Sequence, residues 1–69
     1  MARTYYTLFC RENDGKWYPQ FGDYVRSVVA QEAIDSYSRD YKAKDRQIIG
    51  HDDTMDSLKL VQAKANGEL

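Results

Sequence analysis

The segment from Arg3 to Glu12 constrains this chain more than any other, because both of its alternating faces are apolar and it is rich in strand-favouring Thr, Tyr, Leu and Phe. Tyr6, Leu8 and Cys10 fall on one face, Tyr5, Thr7 and Phe9 on the other. A strand apolar on both sides belongs in the middle of a sheet. That sheet must be small, since a chain of 69 residues buries only about 60% of the surface its unfolded form exposes. Its one cysteine, Cys10, excludes an internal disulfide framework, so apolar burial has to hold the fold and a reducing compartment is expected. With 42% hydrophobic and 30% charged residues the chain has the balance of a folded globular protein rather than of a disordered one.

Asn13-Asp14-Gly15-Lys16 carries hairpin-turn chemistry and predicts a returning strand from Trp17 to Phe21, ended by Gly22-Asp23. Pro19 has no backbone N–H for a ladder, which puts this strand at an edge, with Trp17, Pro19 and Phe21 expected on one side. Between Val25 and Tyr41 the period lengthens: Val29, Ala33, Tyr37 and Tyr41 recur every fourth residue beside Ala30 and Ile34, the stripe of an amphipathic helix. Ser27 and Asp23 compete as its N-cap. A third strand is expected over Arg46–Gly50. After it comes a helix capped by Asp53, with Met55, Leu58, Val61 and Ala65 along its apolar side and Asn66-Gly67 as its stop. The expectation is one α+β domain over residues 1–69. Its elements run ββαβα, in a three-stranded antiparallel or mixed sheet with the first strand central and both helices packed on one face.

The start, Met1-Ala2-Arg3-Thr4, enters the first strand without the apolar stretch of a signal peptide, and no apolar run approaches the roughly 20 residues that span a bilayer. A soluble, cytoplasmic protein with no membrane partner is expected. Ten Lys plus Arg against eleven Asp plus Glu give a net charge of -1, so any electrostatic recognition has to be local.

Catalytic chemistry has little to stand on. His51, Asp52, Asp53 and Asp56 form the densest group of potential ligands and proton carriers, but His51 is the only histidine, and acids at a strand-to-helix turn also serve as caps. Cys10 would need His51 beside it to act as a nucleophile; a lone cysteine in an apolar strand is more often a small buried hydrophobe. The four glycines are scattered, with no phosphate-cradling spacing. No metal, no cofactor and no enzymatic activity are expected.

Two surfaces attract attention. Nine aromatic residues are an excess for so small a core, and helices on one face leave the opposite strand residues either wet or against a partner. Tyr5, Tyr6, Trp17 and Tyr18 are therefore the candidate partner-binding set, against the plain alternative that a phenol sits half-exposed in a monomer without consequence. Arg39, Lys42, Lys44 and Arg46, with Tyr37 and Tyr41 interleaved, form the one basic patch with stacking residues, although Asp40 and Asp45 interrupt it. A weak nucleic-acid contact over residues 39–46 is the alternative function, and a solvated helix end explains the same residues.

The segments Thr4-Tyr5-Tyr6-Thr7-Leu8-Phe9, Asp14 to Tyr24 and Tyr41-Lys42-Ala43-Lys44-Asp45 resemble a group of short phage and prophage accessory proteins, a likeness that spans roughly residues 4 to 49. The group carries no established active site. Two parts of the chain depart from it: the helix after Val25 is poorer in charge, and the tail is individual. The resemblance implies a setting in a bacterial host cell and a protein that binds and blocks a host or defence protein, anti-CRISPR-type inhibition among the forms this takes. A protein partner is expected, with a homodimer as one form of self-association.

Overall fold

Asn13, Asp14 and Gly15 reverse the chain tightly: the Gly15 N–H donates to the Glu12 carbonyl, and the Glu12 N–H to the Lys16 carbonyl. Gly15 adopts φ +81°, the left-handed conformation that the third residue of such a loop requires, and the Asp14 carboxylate accepts from the Lys16 N–H at 2.9 Å. This turn joins β1 (Thr4–Arg11) to β2 (Trp17–Asp23). There follow α1 (Arg26–Tyr37), a single 3-10 turn at Ala43–Asp45, β3 (Arg46–Asp52) and α2 (Met55–Ala65). The computed structural model describes residues 3–69; Met1 and Ala2, half of the start searched for a targeting segment, lie outside the described residues. Among the described residues no helix is long and apolar enough to cross a membrane.

The fold is α+β in the order ββαβα, and the sheet is antiparallel throughout with strand order β2-β1-β3, so the first strand is central and the Pro19 strand lies at an edge. β2 and β3 each run two residues past their predicted ends. The β1–β2 register skips Gln20, pairing Leu8 with Phe21 and Phe9 with Pro19. That bulge turns Phe21 away from Trp17 and Pro19, against the expectation that the three share a side.

The helices cover both faces of the sheet, not one. Leu8 and Cys10 pack with Val29 and Ala33 of α1, ringed by Tyr6, Phe21, Tyr37, Tyr41 and Ile48. On the opposite face Phe9 is 0% exposed, and α2 rests there, with Leu58 beside Tyr5, Thr7 and Pro19 and Val61 beside Ile49. The physical reason was already present in β1: two apolar faces cost too much hydration free energy if either stays wet. A hydroxyl in that second layer needs a partner. Thr7, 4% exposed, finds it in His51, whose Nε2 lies 2.7 Å from Thr7 Oγ1. The Asp52 carbonyl, 2.8 Å from His51 Nδ1, can only accept, so Nδ1 donates to it, and in that tautomer Nε2 accepts a hydrogen bond from the Thr7 hydroxyl.

Helix ends correct the expected caps. Val25 precedes α1 without a side-chain cap; Asp23 instead accepts from the Val25 N–H at 2.8 Å. Thr54, not Asp53, caps α2, its hydroxyl accepting from the Ser57 N–H at 3.0 Å, while the Asp53 carboxylate accepts from the Tyr24 hydroxyl. α2 stops as expected at Asn66-Gly67, with Gly67 at φ +70° and the Glu68 N–H on the Ala63 carbonyl.

Candidate functional site

With both sheet faces covered, the four aromatic candidates have internal neighbours. Tyr6 packs on the α1 side and lies over Gly50, where an added Cβ would come within 3.1 Å of its ring. Tyr5 stands edge-on to Tyr24, centroids 4.9 Å apart, and Arg3 sits 3.8 Å above the Tyr24 ring. Trp17 is half-buried, with the Arg11 guanidinium 5.2 Å from its ring centroid. Tyr18 is the most exposed of the four at 36%, and its hydroxyl donates to Asp14, a bond that raises the phenol's pKa and lowers the carboxyl's.

The basic segment is divided in the fold. Arg39, Lys42 and Lys44 are exposed, but Arg46 points inward, donating from Nη1 to the Ala33 carbonyl at 3.0 Å. Tyr37 and Tyr41, the interleaved aromatics, pack against the α1-side core. The Tyr41 hydroxyl donates to Glu12, which pushes its pKa up to about 12. Asp45 is paired with Arg11 at 2.8 Å. The exposed cations and the half-buried rings of Tyr37 and Tyr41 thus stand in different settings.

Cys10 and His51 are kept apart. His51 pairs with Tyr5, at the other end of β1, and faces α2, whereas Cys10 faces α1. Burial, assisted by the nearby Glu12 charge, pushes the Cys10 thiol from 9.0 up to about 11. Among the described residues no three of His, Cys, Asp or Glu converge on a point, so His51, Asp52, Asp53 and Asp56 do not form a common site.

A different surface emerges along β3. The Asp53 N–H donates to the Arg3 carbonyl, which fixes the alternation of the ladder: residues 47, 49 and 51 face β1, and the backbone groups of Ile48 and Gly50 point outward. Each side of this edge has an apolar cleft. On the α1 side a cleft of about 430 Å³ has Leu8, Ala30, Ala33, Ile34 and Ile48 as apolar lining and Arg26 and Arg46 as its cations. Ile34 is 59% exposed there. On the α2 side a cleft of about 390 Å³ lies between Ile49 and Val61, with Lys64 beside it. Arg46 adds an orphan, for its Nε is buried with no hydrogen-bond partner.

Comparison with protein-family models, curated proteins and solved structures finds no match to this chain. Sequence reasoning passed over Arg26, placed Ile34 only beside the apolar stripe of α1, and read Ile48 only as part of the third strand. The signal was there: Arg46–Asp52 is a β-branched run without the Pro and the bulge that mark β2.

Proposed function

We propose that this chain is a non-enzymatic protein-interaction module that occupies its partner by taking a strand of it onto the β3 edge. The observation that carries this reading is the outward backbone of Ile48 and Gly50 with an apolar cleft on each side. An extended segment laid there would satisfy the edge and alternate its side chains between the two clefts, the mode of strand-addition recognition. Arg26, Arg46 and Lys64 at the clefts favour acidic neighbours in the segment. The resemblance to phage and prophage accessory proteins supports a setting in the cytoplasm of a bacterial host, where the partner is a host or defence protein and the effect is steric blocking.

The test is capture of a host protein by the wild type and by Ile34→Lys, a substitution at an exposed position that leaves the core intact. Affinity is expected to fall by about 2 kcal/mol with thermal stability nearly unchanged, and to resist added salt. If Ile34→Lys binds as well as wild type, while neutralising Arg39, Lys42 and Lys44 abolishes a steeply salt-dependent contact with nucleic acid, the basic segment is the binding surface instead.

A further inference from the structure

The β3 sequence Arg46-Gln47-Ile48-Ile49-Gly50-His51-Asp52 is complementary to itself when read in reverse. Laid antiparallel against a second copy about a two-fold axis through Ile49, it sets Arg46 opposite Asp52 twice, Ile48 opposite Gly50, Gln47 opposite His51, and Ile49 opposite itself. From this we infer that the β3 edge is a homodimer interface, joining two three-stranded sheets into one continuous antiparallel sheet. The inference rests on β3 being a pairing edge and names the occupant of that edge.

Three observations converge on it. The parity is right: outward groups belong to the even-numbered residues, so Ile48 and Gly50 exchange both hydrogen bonds across the axis, and the Asp52 N–H reaches the Arg46 carbonyl. The charges are right as well. Among the described residues Arg46 forms no ion pair, its Nη1 donating to the Ala33 carbonyl and its buried Nε having no partner, and the exposed Asp52 carboxylate takes no hydrogen bond, so each copy brings one cation and one anion without an opposite charge to matching positions. Finally, the room is right. Gly50 brings no side chain of its own, so Ile48 of the other copy meets the apolar Tyr6 ring that lies over it, and the clefts on both sides of β3 lie where the added strand runs. A 69-residue chain with six buried side chains among the described residues gains most from such an addition, since oligomerisation is one of the few ways a small core is reinforced. By mass action, a partner strand binding the same edge competes with the second copy.

Analytical ultracentrifugation from micromolar to millimolar protein tests the dimer. Wild type is expected to dimerise, and Asp52→Lys and Arg46→Glu each to raise the dissociation constant at least tenfold by setting like charges face to face. An equimolar mixture of the two variants restores the dimer, because each mismatch then meets its opposite. If Arg46→Glu does not fold, amide exchange of the wild type decides: protection at Ile48 and Gly50 rises with concentration in the dimer. A wild type that stays monomeric at millimolar concentration, or a dimer indifferent to Asp52→Lys, overturns the inference. The strand-addition reading survives that result if Ile34→Lys still loses the host partner, and falls with it if the host partner binds Ile34→Lys unchanged.

Discussion

The two edges of this sheet are treated differently. β2 is closed three ways: Pro19 withholds a donor, the bulge at Gln20 breaks the regular repeat, and α2 clasps the strand's backbone. In that clasp Asn66 accepts from the Trp17 N–H at 2.6 Å, while Gln62 and Asn66 donate to the Trp17 carbonyl at 3.2 Å each. From the other face the Tyr37 hydroxyl donates to the Gln20 carbonyl at 3.3 Å. β3 has no Pro and no bulge, and neither helix caps the outward groups of Ile48 and Gly50. One sheet thus has an edge blocked against a further strand and an edge whose outward backbone groups are uncapped by either helix. The difference teaches that the helices are placed asymmetrically: α1 lies mainly over β1 and β2, and that lean opens the cleft beside β3.

The largest expected effect tests the frame on which the comparison hangs. Phe9 is fully buried on the sheet face that carries α2, so Phe9→Ala is expected to lose about 3–5 kcal/mol in denaturant unfolding. A loss below about 1 kcal/mol would mean that α2 does not cover this face and that the sheet, not its edge, is open. Next in size is the clasp. Asn66→Ala leaves the Trp17 N–H without its partner and the Trp17 carbonyl with Gln62 alone, at an expected cost of about 1–3 kcal/mol, with faster amide exchange at Trp17 and no change at Ile49. Unchanged exchange at Trp17 would show that β2 is closed by Pro19 and the bulge alone.

Much of this architecture is legible in the sequence, and the reasons differ by residue. Pro19 marks β2 as an edge because it lacks a donor, Asp14-Gly15 marks the hairpin, and the two-sided apolarity of β1 marks the centre. The same two-sidedness argues for helices on both faces. A ββαβα order does not say which side the last helix takes, and that choice is made by long-range contacts such as Asn66 to Trp17, 49 residues apart. The aromatic candidates illustrate the limit. Tyr5, Tyr6 and Trp17 look like an interface in composition, yet each spends its ring on a neighbour that the sequence cannot bring near: Tyr24, the Gly50 backbone and Arg11. The β3 edge went unread for the opposite cause, because an edge is defined by what is missing beside it.

A smaller effect separates the two ends of α2. Its C-terminal end holds β2 through Asn66, whereas its N-terminal end springs from β3 and is capped by Thr54. Thr54→Ala is expected to cost about 1 kcal/mol, and Asp53→Ala less, since Asp53 serves the exposed Tyr24 hydroxyl and not the helix. Equal losses from both changes, measured by thermal unfolding, would return the cap to Asp53.

The smallest effect reports on the α1 layer, whose lean sets the two edges apart. Cys10 sits beneath α1, and burial raises its thiol from 9.0 to about 11. Between those values the unfolded chain gives up a proton that the folded chain keeps, so the folded state binds more protons and stability falls as pH rises through the window. Below pH 9.0 both states hold the proton and the thiol contributes no pH dependence. Cys10→Ala removes the thiol, and its stability is expected to decline less steeply than that of wild type as pH rises from 9.0 toward 11. Tyr41 titrates higher, toward about 12, so the two slopes are best compared at the lower end of that window. Alkylation gives the kinetic counterpart: at neutral pH the thiol is protonated and covered, and modification should be slow until denaturant lifts α1. Identical pH slopes for wild type and Cys10→Ala, together with fast alkylation of the native protein, would mean that the α1 layer opens over Cys10 as readily as it stands open beside Ile48. The contrast between a sealed β2 side and an accessible β3 side would then lose its structural cause.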